Sequence, residues 1–223
     1  MLTPPLTAIG SLIFDLDGTL IDSKQDLIHS VNAMLGEIGR AKLPPATIAS
    51  FIGDGAPQLV RRSLGESASE EENKRALQFF LGYYEDHKMD TTIPYPGVAE
   101  TLAELAHLPM AVLTNKPVRI SVRILDAMGL SKYFRCIYGG NSFETKKPDP
   151  LGANTILREM GAMAADSLFV GDSQVDVLTA RNAGMIAAAV NYGFGNHDRT
   201  AYPADVYLEQ FSDLSALITS PRV

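Results

Sequence analysis

The chain has 223 residues, 46% of them apolar and 20% charged, which excludes the disordered and fibrous classes and suits one or two buried cores. Nineteen basic against 26 acidic residues give a net charge of −7, which argues against a general nucleic-acid binder. No apolar run approaches the roughly 18 residues of a membrane helix, the first basic residue is Lys24, and the single Cys136 has no disulfide partner, so a cytoplasmic protein without a signal peptide or membrane contact is expected.

In chain order, the apolar run Ile9, Leu12, Ile13, Phe14 predicts a strand buried on both faces of a parallel sheet, ending at Asp15-Leu16-Asp17-Gly18-Thr19. Residues 22–91 read as helical. Ser23 with Asp26 predicts a capping box, followed by Leu27, Val31, Met34, Leu35 and Ile38 at helical spacing until Pro44-Pro45 breaks the chain. The loop Ile52-Gly53-Asp54-Gly55 precedes an amphipathic stretch through Leu59, Val60 and Leu64. A further helix starts near Ser69, with Glu70, Glu71 and Glu72 complementing its dipole. Phe79, Phe80, Tyr83 and Tyr84 are expected in its core. From Tyr95 onward helix and strand alternate: helix at Val98–Leu105, strand at Met110–Leu113, helix at Val118–Met128, strand at Cys136–Tyr138, helix at Asn154–Met160, strand at Leu168–Val170, helix at Val175–Ala183 and strand at Ile186–Val190. This order predicts an α/β fold: a Rossmann-like parallel sheet, residues 1–21 and 92–223, with a helical domain, residues 22–91, inserted after the first strand.

Ligands of open α/β sheets bind at the carboxyl ends of the strands. Four strands here end in polar clusters: Asp15 and Asp17; Thr114-Asn115-Lys116; a loop with Lys146-Lys147-Pro148; and Gly171-Asp172-Ser173 with Asp176 one turn on. Carboxylates this close repel unless a positive charge lies between them. Oxygen-only ligation without a His or Cys cluster points to a hard cation, Mg²⁺, suited to phosphate substrates. Metal, lysine, hydroxyl and amide donors around a carboxylate form an electrostatic cradle for a phosphoryl group. His29, His87, His107 and His197 lack metal-type spacing, and Cys136 is expected to be an inert core residue in its strand.

With Asp15-Leu16-Asp17-Gly18-Thr19-Leu20, Thr114, Lys147-Pro148 and Gly171-Asp172-xxx-Asp176 in that order, essentially the whole chain resembles the haloacid dehalogenase superfamily. The resemblance implies Asp15 as nucleophile and Asp17 as general acid/base. It implies Thr114 and the Asn115 backbone amide as phosphoryl ligands, and Lys147, rather than Lys146, as the charge-offsetting lysine. Mg²⁺ would sit on Asp15, the Asp17 carbonyl and Asp172, with Ser173 and Asp176 behind them. An Asp at position 17 favours phosphate over halide chemistry, since a halide leaves without a proton. The helical insertion resembles a type 1 cap. Within the superfamily the chain is most similar to phosphoglycolate phosphatases, through Phe51-Ile52-Gly53-Asp54-Gly55-Ala56, Val60 to Leu64, Lys146 to Pro150 and Val170 to Val177.

The resemblance makes Gly53, Asp54 and Gly55 a substrate-specificity loop. Many relatives carry Asn where Asp54 stands, and a carboxylate aimed at an anionic substrate would repel it, so Asp54 is expected to point away. Arg61 and Arg62 are expected on a solvated helix face. The implied reaction is Mg²⁺-dependent hydrolysis of a small phosphate ester, 2-phosphoglycolate first, by a monomer or homodimer. Other sugar phosphates or pyrophosphate, a β-glucose phosphate mutase, and a phospho-accepting signalling module are the alternatives.

Overall fold

Alternation along β1 (Ser11–Phe14) sends its side chains to two separate cores. Leu12 and Phe14 join one apolar cluster and Ile13 the other, all fully buried. That is the pattern of a strand covered on both faces. In the computed structural model, which describes residues 9–194 and 198–219, β1 lies inside a six-stranded sheet. Its neighbours are β4 (Met110–Leu113) and β6 (Ser167–Gly171), with β5 (Ile137–Tyr138) beyond β4 and β7 (Ile186–Val190) and β8 (Val206–Leu208) beyond β6. Every pairing in this sheet is parallel. Phe14 is in register with Val112 and Val170, so Asp15, Thr114 and Asp172 come off the same edge.

Helices α5 (Val98–Glu104), α6 (Val118–Ala127) and α9 (Asp213–Thr219) belong to the first face, and α7 (Leu151–Met160) and α8 (Gln174–Asn182) to the second. The alternating elements of the sequence reading are present within a few residues. The edge strand β8 and helix α9 were not expected. β8 is only three residues long, too short for a pattern to stand out. Cys136 lies half-buried just before β5 rather than inside a buried strand, because β5 is an edge strand. Burial, with Glu159 nearby, still pushes its thiol up to about 11, so it carries no thiolate.

Between the first strand and the rest of the sheet lie α1 (Lys24–Glu37), α2 (Pro45–Ala49), α3 (Ala56–Leu64) and α4 (Glu70–His87). Ser69 and Glu72 form a reciprocal capping box that starts α4, as its sequence suggests. α1 and α3 pack along α4, whose Phe80 and Tyr84 are buried. Phe79 and Tyr83 are half-buried and stack on one another instead. The apolar face of these helices runs on into the cluster that holds Leu12 and Phe14.

The expected capping box at Ser23 and Asp26 does not form. Ser23 turns its hydroxyl to Asp17 (2.5 Å), and Asp26 turns inward. The two chain crossings into and out of the helical segment pair as a short antiparallel ribbon, β2 (Ile21–Asp22) with β3 (Ile93–Pro94). Asp26 clamps the second crossing. Its carboxylate accepts the backbone N–H of Thr91 and Thr92 and both their hydroxyls, at 2.6–3.1 Å. Burial alone would raise this carboxyl, but the threonine donors outweigh it and hold the group below the usual aspartate range. The stability it contributes is therefore present at neutral pH and lost as pH falls through its lowered value. Asp26→Ala is expected to cost about 3 kcal/mol or more at pH 7. In chemical denaturation the gap to wild type should close below about pH 4, where the free carboxyl also protonates.

Candidate active site

Four strand ends and the helical segment enclose a cavity of about 280 Å³. Its floor holds Asp15, Thr114 and Asp172. Its roof comes from the Ile52 to Ala56 loop, α3 and α4.

Asp15 extends β1 by one residue, its N–H bonded to the Val170 carbonyl (2.9 Å), and it is 9% exposed. Lys147 Nζ stands 2.9 Å from Asp15 Oδ1 and 2.6 Å from Asp176 Oδ1. Lys146, one residue earlier, is exposed and takes no part in this pair. Asp176 is fully committed: its second oxygen accepts the Ser173 N–H (3.0 Å) and hydroxyl (2.6 Å). Burial pushes the Asp15 carboxyl up to about 6 in spite of Lys147, helped by the Asp176 charge. Burial alone would lower the Lys147 ammonium, but the two carboxylates hold it above the ordinary lysine range.

Asp172 follows β6 and accepts the N–H of Phe194 (2.8 Å), from the loop after β7. Gly18, with φ +80°, passes so close that a Cβ there would meet Asp172 Oδ2 at 2.2 Å. One carboxylate oxygen each from Asp15, Asp172 and Asp176 fall within 4.8 Å of one another, the one such acidic cluster among the described residues. Because Asp176 is used by Lys147 and Ser173, Asp15 and Asp172 are the pair that can offer oxygens to a cation. The fit to a hard divalent ion rests on two observations: all-oxygen donors, and a carboxyl whose ionised form burial disfavours even with Lys147 2.9 Å away.

Asn115 joins three loops with its side chain. It donates to the carbonyls of Gly53 (3.1 Å) and Lys147 (3.3 Å) and accepts the Lys147 N–H (3.1 Å). The Gly53 to Gly55 loop is thereby tied to the sheet. Gly55, φ +85°, packs with its Cβ position 2.8 Å from the Asn115 carbonyl, where a side chain has no room. Asp54 pairs with Arg62 (2.6 Å) at the cavity wall. Arg62 is therefore not simply a solvated charge, whereas Arg61 makes an exposed pair with Glu70. Of the histidines, His29 and His107 are exposed, His87 pairs with Asp90, and His197 lies outside the described residues.

Lys116 is the side chain whose part the sequence did not reveal. It is 5% exposed and donates to both Asp17 oxygens (2.9 and 3.0 Å) and to the Tyr84 hydroxyl (2.5 Å). Asp17 and Ser23 complete this second network. Lys116 stood in a strand-end cluster, but nothing local marks its reach to Asp17 or to a tyrosine on α4. Chemically, the site sets a buried carboxylate beside a lysine and a candidate cation site, with a second carboxylate two residues on.

The model of the haloacid dehalogenase-like hydrolases matches residues 12–190. A phosphoglycolate phosphatase of Pseudomonas syringae pv. tomato is 42% identical over 195 residues, 84% of this chain and 71% of that protein. One from Chromobacterium violaceum is 36% identical over 96% of this chain and 98% of its own length. Among solved structures, a predicted phosphoglycolate phosphatase from Haemophilus somnus superposes with a TM-score of 0.89 at 31% identity, covering 95% of this chain and 98% of that one. Among the described residues no helix is long and apolar enough to cross a membrane.

Proposed function

The chain belongs to the haloacid dehalogenase-like hydrolases, and from that membership and the site's geometry we propose that it hydrolyses phosphate monoesters through an aspartyl-phosphate on Asp15, with 2-phosphoglycolate as its substrate. The observation that carries this reading is the buried Asp15–Lys147–Asp176 network at the sheet edge, with Asp15 and Asp17 both lining the cavity beneath the helical segment.

An Asp15 oxygen attacks phosphorus as the bond to the ester oxygen breaks. Asp17 gives that oxygen a proton, then takes one from the water that attacks the phosphorus of the aspartyl-phosphate, releasing Asp15. The Thr114 hydroxyl and the Asn115 backbone N–H hold phosphoryl oxygens. Lys147 offsets the charge that gathers on Asp15 and the phosphate, and Asp176, fixed by Ser173, keeps Lys147 in place. Asp15, Asp172 and the Asp17 carbonyl would hold Mg²⁺, which neutralises phosphoryl charge when bound. Helices α1 to α4, residues 22–91 with their flanks, act as a cap that excludes water, and the Gly53-Asp54-Gly55 loop presents backbone groups to the leaving group. The 2-phosphoglycolate assignment is supported by the names of the relatives at 36–42% identity.

The test is phosphate release from 2-phosphoglycolate, sugar phosphates, pyrophosphate and p-nitrophenyl phosphate, with Mg²⁺ and with EDTA. The expected result is a Mg²⁺-dependent preference for 2-phosphoglycolate and loss of turnover in EDTA. Full activity in EDTA would remove the metal from the reading. A sugar phosphate isomerised without phosphate release would replace hydrolysis by phosphoryl transfer.

A further inference from the structure

Lys116 poses a problem that the cycle above does not solve. Its ammonium is buried and its three protons are all taken, two by Asp17 and one by Tyr84, over whose ring it also sits at 4.5 Å. A charge this deep is strongly destabilised when its counter-charge is removed. Yet Asp17 must leave it, because the carboxyl that serves the ester oxygen and then the water has to turn toward the phosphoryl group. Lys116 is then left with the neutral Tyr84 hydroxyl.

Among the described residues Asp17 is the carboxylate paired with Lys116, and Asp172, on the same cavity, accepts the Phe194 N–H. Asp15 and Asp176 are engaged by Lys147, and Asp26 is held by Thr91 and Thr92. Resting on the phosphatase reading, we infer that the replacement comes with the substrate. Lys116 is the specificity-determining residue, and the site takes phosphomonoesters whose leaving group carries a carboxylate next to the ester oxygen. That carboxylate takes the place of Asp17 on Lys116 Nζ and sets Asp17 free to reach the ester oxygen beside it. One ion pair is exchanged for another; no covalent bond changes. An uncharged leaving group provides no exchange and leaves Asp17 held.

Arg62 is the other cation in the cavity wall, but its side chain is 41% exposed and paired with an equally accessible Asp54. Water screens that pair, so it makes no comparable demand.

The experiment compares 2-phosphoglycolate with 2-hydroxyethyl phosphate, in which a hydroxymethyl group replaces the carboxylate, on the full chain with Mg²⁺. Wild type is expected to prefer the carboxylate by about 10- to 100-fold in kcat/KM, with much of the difference in kcat. In Lys116→Met the preference should fall to near unity, whereas damage to the fold alone would lower both substrates together. Equal turnover of the two esters by wild type overturns the inference without recourse to any variant, and so does a folded Lys116→Met that keeps the preference. Absence of phosphate release from both esters and from p-nitrophenyl phosphate would instead overturn the phosphatase reading beneath it.

Discussion

Asp15→Asn is expected to lower turnover by about four orders of magnitude or more, because it removes the carboxylate oxygen proposed to attack phosphorus. Acid-quenched protein incubated with labelled substrate should carry label in wild type and none in the variant. Substantial phosphate release by Asp15→Asn would end the aspartyl-phosphate mechanism. The same change is expected to leave stability intact or improve it, which separates lost chemistry from lost folding. Burial lifts the Asp15 carboxyl to about 6 in the metal-free protein. An acid whose folded value lies above its unfolded one destabilises the fold once it is ionised, so the cost is absent at low pH and grows as pH rises through that interval. In EDTA at pH 7, Asp15→Asn should therefore melt at or above wild type, and the difference should vanish toward about pH 4. A site that concentrates like charge for function commonly lowers stability in this way.

Lys147→Met is expected to damage both properties. It leaves Asp15 and Asp176 buried side by side without the ammonium that stands 2.9 and 2.6 Å from them. Removing one member of a buried charge cluster typically costs about 3–5 kcal/mol, which for a chain of this length is a drop of about 10 °C in Tm. Turnover should fall by about 10²–10³-fold or more through lost charge stabilisation. Lys147→Arg should restore little, since a planar fork cannot occupy the place of a compact ammonium held between two carboxylates. Lowering pH should narrow the stability gap, because the abandoned carboxyls then protonate. A Lys147→Met protein with wild-type melting and turnover would show that the ion pairs carry neither stability nor catalysis.

The two chain crossings and Asp17 meet in a way that unites these networks. Ser23, one residue before α1, bonds Asp17; Asp26, in the first turn of α1, clamps the returning crossing; Tyr84 of α4 bonds Lys116. The helical segment thus touches the Asp17 network through Ser23 and through Tyr84 of α4, and the cavity floor through Gly53 and Asn115.

Much of this protein is set by short-range pattern. Continuous apolar runs predicted β1, β4, β6 and β7, and helical spacing predicted the segments between them, because a strand buried on both faces and an amphipathic helix each leave a local signature. The strand-end rule then places Asp15, Thr114, Lys147 and Asp172 at one edge. Pairings between distant residues were not legible in this way. Ser23 and Asp26 have the spacing of a capping box, but Asp17 and the two threonines at 91 and 92 offer better partners. Lys116 and Tyr84 look like a loop charge and a core aromatic until the fold brings them within hydrogen-bond reach, 32 residues apart in the chain. Local patterns encode which face of an element is apolar. The partner chosen by a buried charge depends on which opposite charge the folded chain brings within about 3 Å, since leaving it unpaired costs more than any local cap returns.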